Sequence, residues 1–346
     1  VKSAVGLSIL RFVIGFSGSS FIVCQYWTSR MFAENVVGTA NALAGGLGGF
    51  GRGLSPLLMG SILKGFHDDQ EQLDAWHYIC VIPAVLAFSL GVLVYLISDD
   101  TPKGNCNDRK GDGTMPGVSV ISTFRNAACN RNTWVLFFHF ASSYGVEITM
   151  KNAAALVFRH KFSQTVEYAA AYASLVGIMQ LTARCLGGHV SDRYFARSGV
   201  HGRLVVQVIL LFCEGLLVFA FVWAKSLPIS ILVLVFLAFV VHAAEGSTFG
   251  IVPFVSPADT GSVMGIVGAG GNVGAVAYSF GFRQWDYRVA FYVMGCMVLI
   301  SSITSAFIHI EGRSSLFDAL QPQNKPEQRI DNEEPDTDED TQAYTV

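Results

Sequence analysis

The sequence predicts an all-α membrane protein, and three observations carry that prediction. Apolar residues make up 51% of the 346, charged residues only 14%, and mean hydropathy is +0.44, whereas a soluble domain carries about 25% charge. The apolar residues gather into segments of the length a bilayer needs, about 20 residues each. Two glycine-rich stretches inside such segments are near copies of each other: GTANALAGGLGGFGRG, Gly38 to Gly53, and GSVMGIVGAGGNVGAV, Gly261 to Val276. An offset of 223 residues lays Gly38 on Gly261, Gly45 on Gly268, Gly48 on Gly271, Gly51 on Gly274 and Gly49 on Asn272.

Nine spans follow from the apolar pattern, at 4–24, 35–61, 77–97, 133–157, 167–190, 204–224, 228–251, 260–281 and 287–309. The third is followed by the longest internal polar stretch, from Ser98 to about Arg131. The chain therefore divides into a three-span segment (1–97), a polar central loop (98–132), a six-span half (133–309) and an acidic tail (310–346) that is expected to be disordered. The glycine offset pairs the second span with the eighth. If the halves match, the first three spans pair with the last three, and partners for the fourth to sixth are missing. The chain begins on Val1 close to a span, with no signal peptide. The expected complete arrangement is six spans, loop, six spans, with three spans preceding Val1.

Charge is unevenly spread. From Glu311 onward there are ten acidic and three basic residues, a net of −7, so the remainder carries +4 of the overall −3. Basic residues mark cytoplasmic loops. Lys103, Arg109, Lys110, Arg125 and Arg131 follow the third span, and Arg193, Arg197 and Arg203 follow the fifth, against Arg159 and Lys161 after the fourth. This bias puts the central loop and the tail in the cytoplasm. The seven cysteines show no CxxC or Cys/His ligand spacing and read as small packing residues. No nucleophile–base, metal or nucleotide motif occurs, and no basic footprint for nucleic acid, so neither an enzyme nor a cofactor is expected. A sensor or adaptor would need a long ordered cytoplasmic domain, and the tail is short.

Small residues three and four apart form a smooth helix face where a backbone or a small ligand can come close. A repeated pair of Gly-interrupted membrane helices points to a transporter's binding site. The repeat therefore nominates Gly45, Gly48, Gly49, Gly268, Gly271 and Asn272. The strongest single residue is Arg184, two-thirds of the way along the span YASLVGIMQLTARCLGGHVSDR. An intramembrane Arg costs about 2.5–3.5 kcal/mol on insertion scales, so it usually faces a cavity. Its planar fork of donors suits a small oxyanion. The bland alternative is an Arg that snorkels to water near the GGHVSDR turn. The remaining ionisable groups within spans are His139, Glu147, Lys151, Glu214, His242 and Glu245. Glu147 and Lys151 share a helix face and read as a structural pair. Glu245 reads as a brace for a glycine-rich helix, and the two histidines as packing residues. Phe21, Phe140 and Tyr144 are core or lipid-facing by default, and one or two of them could stack on a flat anion.

Six motifs, QYWTSRMF, ANALAGGLGGFG, GVEITMKNAAALVF, ARCLGGHVSDR, AAEGSTFGIVPFVS and GIVGAGGNVGAV, resemble the eukaryotic branch of the nitrate/nitrite porter family, within the major facilitator superfamily. The resemblance runs in order from about Val5 to Phe291. It implies a major facilitator bundle with nine of the family's twelve helices in this chain. It lays the two glycine stretches on the family's paired nitrate signatures, and GGHVSDR on a superfamily loop motif. Of the family's two substrate arginines, one lands on Arg184 and the other would precede Val1. A substrate-stacking Phe lands on Phe21. Departures are Gly49 where Asn is usual, Arg52 where Gly is usual, and Ser142 in place of a Tyr, with Tyr144 nearby.

The function the resemblance implies is uptake of nitrate, or nitrite, at the plasma membrane by alternating access. Protons are the implied coupling ion, with nitrate/nitrite exchange or carriage of another small anion as alternatives. A larger organic anion fits less well, because glycine seams with few extra polar groups leave little room. The oligomeric state and any accessory membrane protein stay open.

Overall fold

Each of the nine predicted segments is helical in the computed structural model, which describes residues 3–63, 69–102, 104–105, 119–310 and 316. In chain order the helices are α1 (Ala4–Gly15), α2 (Ser19–Met31), α3 (Val37–Leu63), α4 (Asp69–Ile97), α5 (Val120–Cys129), α6 (Arg131–Phe162), α7 (Val166–Ile178), α8 (Gln180–Trp223), α9 (Leu227–Ile251), α10 (Thr260–Gln284) and α11 (Tyr287–Thr304). No strand occurs among the described residues. Residues 103 and 106–118 of the central loop, and all of the tail but Ile310 and Leu316, lie outside them; the described part of the loop carries α5.

Six stretches among the described residues are long and apolar enough to cross a membrane: Ala4–Met31, Cys80–Ile97, Tyr168–Trp223, Leu227–Phe254, Thr260–Gln284 and Tyr287–Phe307. Tyr168–Trp223 takes in two of the predicted spans, and the segments at 35–61 and 133–157 are not among the six; α6 carries His139, Glu147 and Lys151 in its middle. Large apolar side chains cover the outside, among them Phe12, Phe88 and Tyr95, as a bundle surrounded by hydrocarbon requires.

Local chemistry sets the breaks. The Asn130 side chain accepts from the Asn132 amide to start α6, and Thr165 accepts from Tyr168 to start α7. Ser163 closes α6 in the left-handed conformation, with φ of 52°. The predicted span at 167–190 is broken between Ile178 and Gln180, and α8 bends at Ser198 and Gly199. Gly199 has φ of 60° and ψ of −146°, a conformation only glycine adopts without strain.

Two apolar clusters pack the six-span half, one of them around Leu136, Phe140, Leu204, Phe249 and Met264. In the other, Met150, Phe158, Phe221, Leu234, Leu237 and Phe291 from α6, α8, α9 and α11 lie together, fully buried. Edge-on ring contacts join Phe221 to Phe158 and Phe291, at centroid distances of 6.1 and 5.7 Å.

Candidate functional site

The two glycine stretches do not pack on each other. α3 runs antiparallel along α8, and α10 lies along α6. A side chain at Gly38 would strike Asp192, one at Gly45 would come within 3.1 Å of the Arg184 Nε, and one at Gly49 would enter the Gln180 side chain. On the other side, Gly270 backs onto the Phe137 carbonyl and Gly274 onto that of Ala141. Between the two seams sits α2, whose Gln25 faces Gly45, Ile22 faces Gly268 and Tyr26 faces Gly261. Helical periodicity shows that a small face exists but not what meets it, so the sequence could not place α2 there.

Arg184 is the centre of the arrangement. It projects from α8 and is only 2% exposed, so it is not snorkelling to water. Its Nη1 lies 3.1 Å from Oε2 of Glu245 on α9, which is fully buried. Its Cζ lies 5.5 Å from the centroid of the Phe21 ring on α2, within cation–π range. Gly45 and Gly246 leave room for it: a Cβ at Gly45 would come 3.2 Å from Cζ, and one at Gly246 would strike the Arg184 carbonyl. Nη2 has no hydrogen-bond partner. A buried donor without a partner costs about 1–3 kcal/mol, so this edge of the guanidinium is the place an anion would stabilise.

From Phe21 an aromatic chain leads to the second glycine stretch. Phe21 meets Phe249 at 5.3 Å, Phe249 meets Phe140 at 5.0 Å, and Phe140 stacks on Tyr144 at 5.4 Å. Gly271 closes the chain, since a Cβ there would lie 2.7 Å from Phe140 and 2.9 Å from Tyr144. The structure therefore brings together Arg184, Phe21, Gly45, Tyr144 and Gly271, with Gly268 against the α2 side chain Ile22. Gly49 is one step away through Gln180. Gly48 and Asn272 are exposed, and a side chain at Gly48 would meet no atom within 4 Å, so neither touches this group. Sequence reasoning passed over Gln25, Gln180 and Phe249. Glu245 was read as a helix brace and is instead the partner of Arg184; its spacing beside Gly246 held the signal.

A second polar group adjoins the first. Lys151 pairs with Glu147, as the i, i+4 spacing implies, and donates to Gln180 Oε1 at 3.4 Å. Nδ1 of His242 lies 3.5 Å from Glu245 Oε2 and 3.9 Å from Glu147 Oε2. Elsewhere, Arg203 is a buried structural residue and not the loop charge the sequence suggested. It pairs with Asp192 at 2.7 Å and donates to the Glu34 carbonyl at 2.8 Å. Asp192 also accepts from the Gly38 and Thr39 amides at 3.0 and 2.6 Å, capping the start of α3. A cavity of about 520 Å³, lined by Thr149, Lys161, Phe282 and Tyr287, lies apart and shares no residue with Arg184 and its neighbours.

These features define the class: a helical membrane protein with the buried Arg184 against the first of its two glycine-rich helices. The comparisons agree. The family model "Major Facilitator Superfamily" matches residues 2–279. The chain is 34% identical over 325 residues to "High affinity nitrate transporter 2.7" of Arabidopsis thaliana, covering 89% of this chain and 66% of that protein. It is 31% identical over 326 residues to "Probable high-affinity nitrate transporter 2.4" of Oryza sativa subsp. japonica, covering 91% of this chain and 67% of that protein. A solved structure of the proton:xylose symporter XylE superposes with a TM-score of 0.61 at 16% identity, over 86% of this chain and 70% of that one, a likeness of fold. The chain belongs to the major facilitator superfamily, in the branch of the high-affinity nitrate transporters. It spans about two thirds of the length of the curated relatives it matches.

Proposed function

We propose that the protein carries nitrate, and nitrite with it, across the plasma membrane by alternating access. The acidic tail and central loop face the cytoplasm. The observation that carries the reading is Arg184, buried and gripped on one edge by Glu245, with Nη2 unpartnered on the other. Nitrate is planar and singly charged. It can accept from Nη2 while lying against a ring of the Phe21–Phe249–Phe140–Tyr144 chain. The similarity to nitrate transporters supports nitrate as the substrate, and the unpartnered Nη2 beside the aromatic chain supports Arg184 as its partner. Gly49, against Gln180, belongs to the proposed site, while Gly48 and Asn272, exposed and outside the group around Arg184, are kept only as positions of the paired signatures.

Proton symport is the mode we favour over nitrate/nitrite exchange. The specific observation is the buried carboxylate and imidazole group beside Arg184, which gives the charge of the anion a counterpart inside the bundle. Uptake of isotope-labelled nitrate by cells expressing the protein, compared with a vector control and with chloride or sulfate as competitors, tests the substrate. Uptake that unlabelled nitrate and nitrite suppress and chloride does not is the expected result; no nitrate uptake above control overturns the reading.

A further inference from the structure

The group formed by Glu147, His242 and Glu245 brings three buried proton acceptors together, with their ligand atoms within 4.8 Å of one another. His242 Nε2 lies 2.7 Å from the Val176 carbonyl oxygen. A carbonyl only accepts, so Nε2 carries a hydrogen. In the neutral imidazole Nδ1 is then a bare lone pair, and it points at two carboxylates, Glu245 Oε2 at 3.5 Å and Glu147 Oε2 at 3.9 Å. Three buried acceptors facing one another repel, and one added proton relieves all three. A divalent cation is a poorer occupant, because each carboxylate already holds a protein cation, Lys151 on Glu147 and Arg184 on Glu245.

We propose that Glu147, His242 and Glu245 form the proton-binding site of the carrier, and that Arg184 couples it to the anion. The inference rests on the nitrate reading above and deepens it. The link is a single atom: Glu245 Oε2 faces both Arg184 Nη1 and His242 Nδ1. When nitrate docks on the guanidinium it competes with Glu245 for positive charge. The carboxylate is left under-neutralised, and a proton entering from water onto Nδ1, shared with the two carboxylates, restores the balance. When the anion leaves, the Arg184–Glu245 pair tightens and the proton is released. One proton accompanies one nitrate, so the charge buried in the bundle stays constant. The other charged groups facing this site are Lys151 on α6 and Glu214 on α8, the latter accepting from Ser143 at 2.8 Å; Lys151 holds Glu147 in place and Glu214 contributes a more distant negative charge.

Two variants separate this proposal from the reading beneath it. His242→Gln keeps an N–H for the Val176 carbonyl and removes the titrating Nδ1. Glu147→Gln removes one acceptor without touching Arg184. In proteoliposomes, counterflow of labelled nitrate at equal pH reports the anion site, and accumulation driven by an acidic exterior reports coupling. Both variants should keep counterflow within about threefold of the parent and lose about tenfold or more of proton-driven accumulation, an ordinary coupling free energy. Variants that accumulate nitrate like the parent overturn the proposal, whereas a parent with no nitrate counterflow overturns the reading beneath it. Should a variant fail to fold, the parent alone decides. In weak buffer, the detergent-solubilised protein should take up about one proton per nitrate bound, and no uptake contradicts the assignment.

Discussion

Arg184 and Glu245 face each other at 3.1 Å in the interior of the bundle, and neither reaches water. The pair explains how a guanidinium persists at this depth: a buried charge is tolerated when a partner neutralises it. On the proposed function it also sets a competition, because an anion docked on Arg184 would bid with Glu245 for the same positive charge.

The competition predicts that Glu245→Gln binds nitrate more tightly than the parent while carrying it more slowly. Removing the internal carboxylate leaves Arg184 with an unmet positive charge, worth about 1.5–3 kcal/mol as a charge-assisted hydrogen bond. Nitrate-dependent melting of the solubilised protein should show a lower half-saturating nitrate concentration. Weaker binding in this variant would mean that Glu245 helps to hold the anion.

Gly271 and Gly48 should respond very differently to substitution, although the repeat makes them equivalent. A methyl group at Gly271 runs into Phe140 and Tyr144, whereas one at Gly48 meets open space. Gly271→Ala should lower the melting temperature, the cost of overpacking being about 1–3 kcal/mol. Gly48→Ala should leave it unchanged. Equal effects would show that the aromatic chain does not seat against α10.

Asp192→Asn should destabilise the protein more than a surface exchange does. The carboxylate caps α3 and neutralises Arg203, which is fully buried. Leaving a buried charge unpaired costs about 3–5 kcal/mol. The double variant Asp192→Asn with Arg203→Met removes the stranded charge and should recover part of the loss in melting temperature. If the double variant is as unstable as Asp192→Asn alone, the cap on α3, and not the ion pair, is what Asp192 supplies.

Much of this was legible in the chain. The nine helical segments, the place of Arg184 inside a span and the Glu147–Lys151 pair all follow from local pattern, since apolar length and i, i+4 spacing are properties of one segment. The glycine repeat correctly marked two close-packed faces. It did not show their partners, because α2 lies between α3 and α10 and the seams meet α8 and α6. Arg203 looked like a loop charge because nothing local shows that Asp192, eleven residues earlier, folds back onto it across the bend at Gly199. The joining of Arg184 to Glu245 and His242 depends on the packing of α8 against α9, a relation between segments that no single segment encodes.

The most direct test of the account is the effect of Arg184→Lys on nitrate binding by solubilised, folded protein. Lysine keeps the charge and its pairing with Glu245 but lacks the second edge that Nη2 presents. Affinity should fall by about tenfold to a hundredfold, the worth of one charge-assisted hydrogen bond, with surface expression and melting temperature close to the parent's. A lysine variant that binds nitrate as the parent does would contradict the placement of the anion on Arg184.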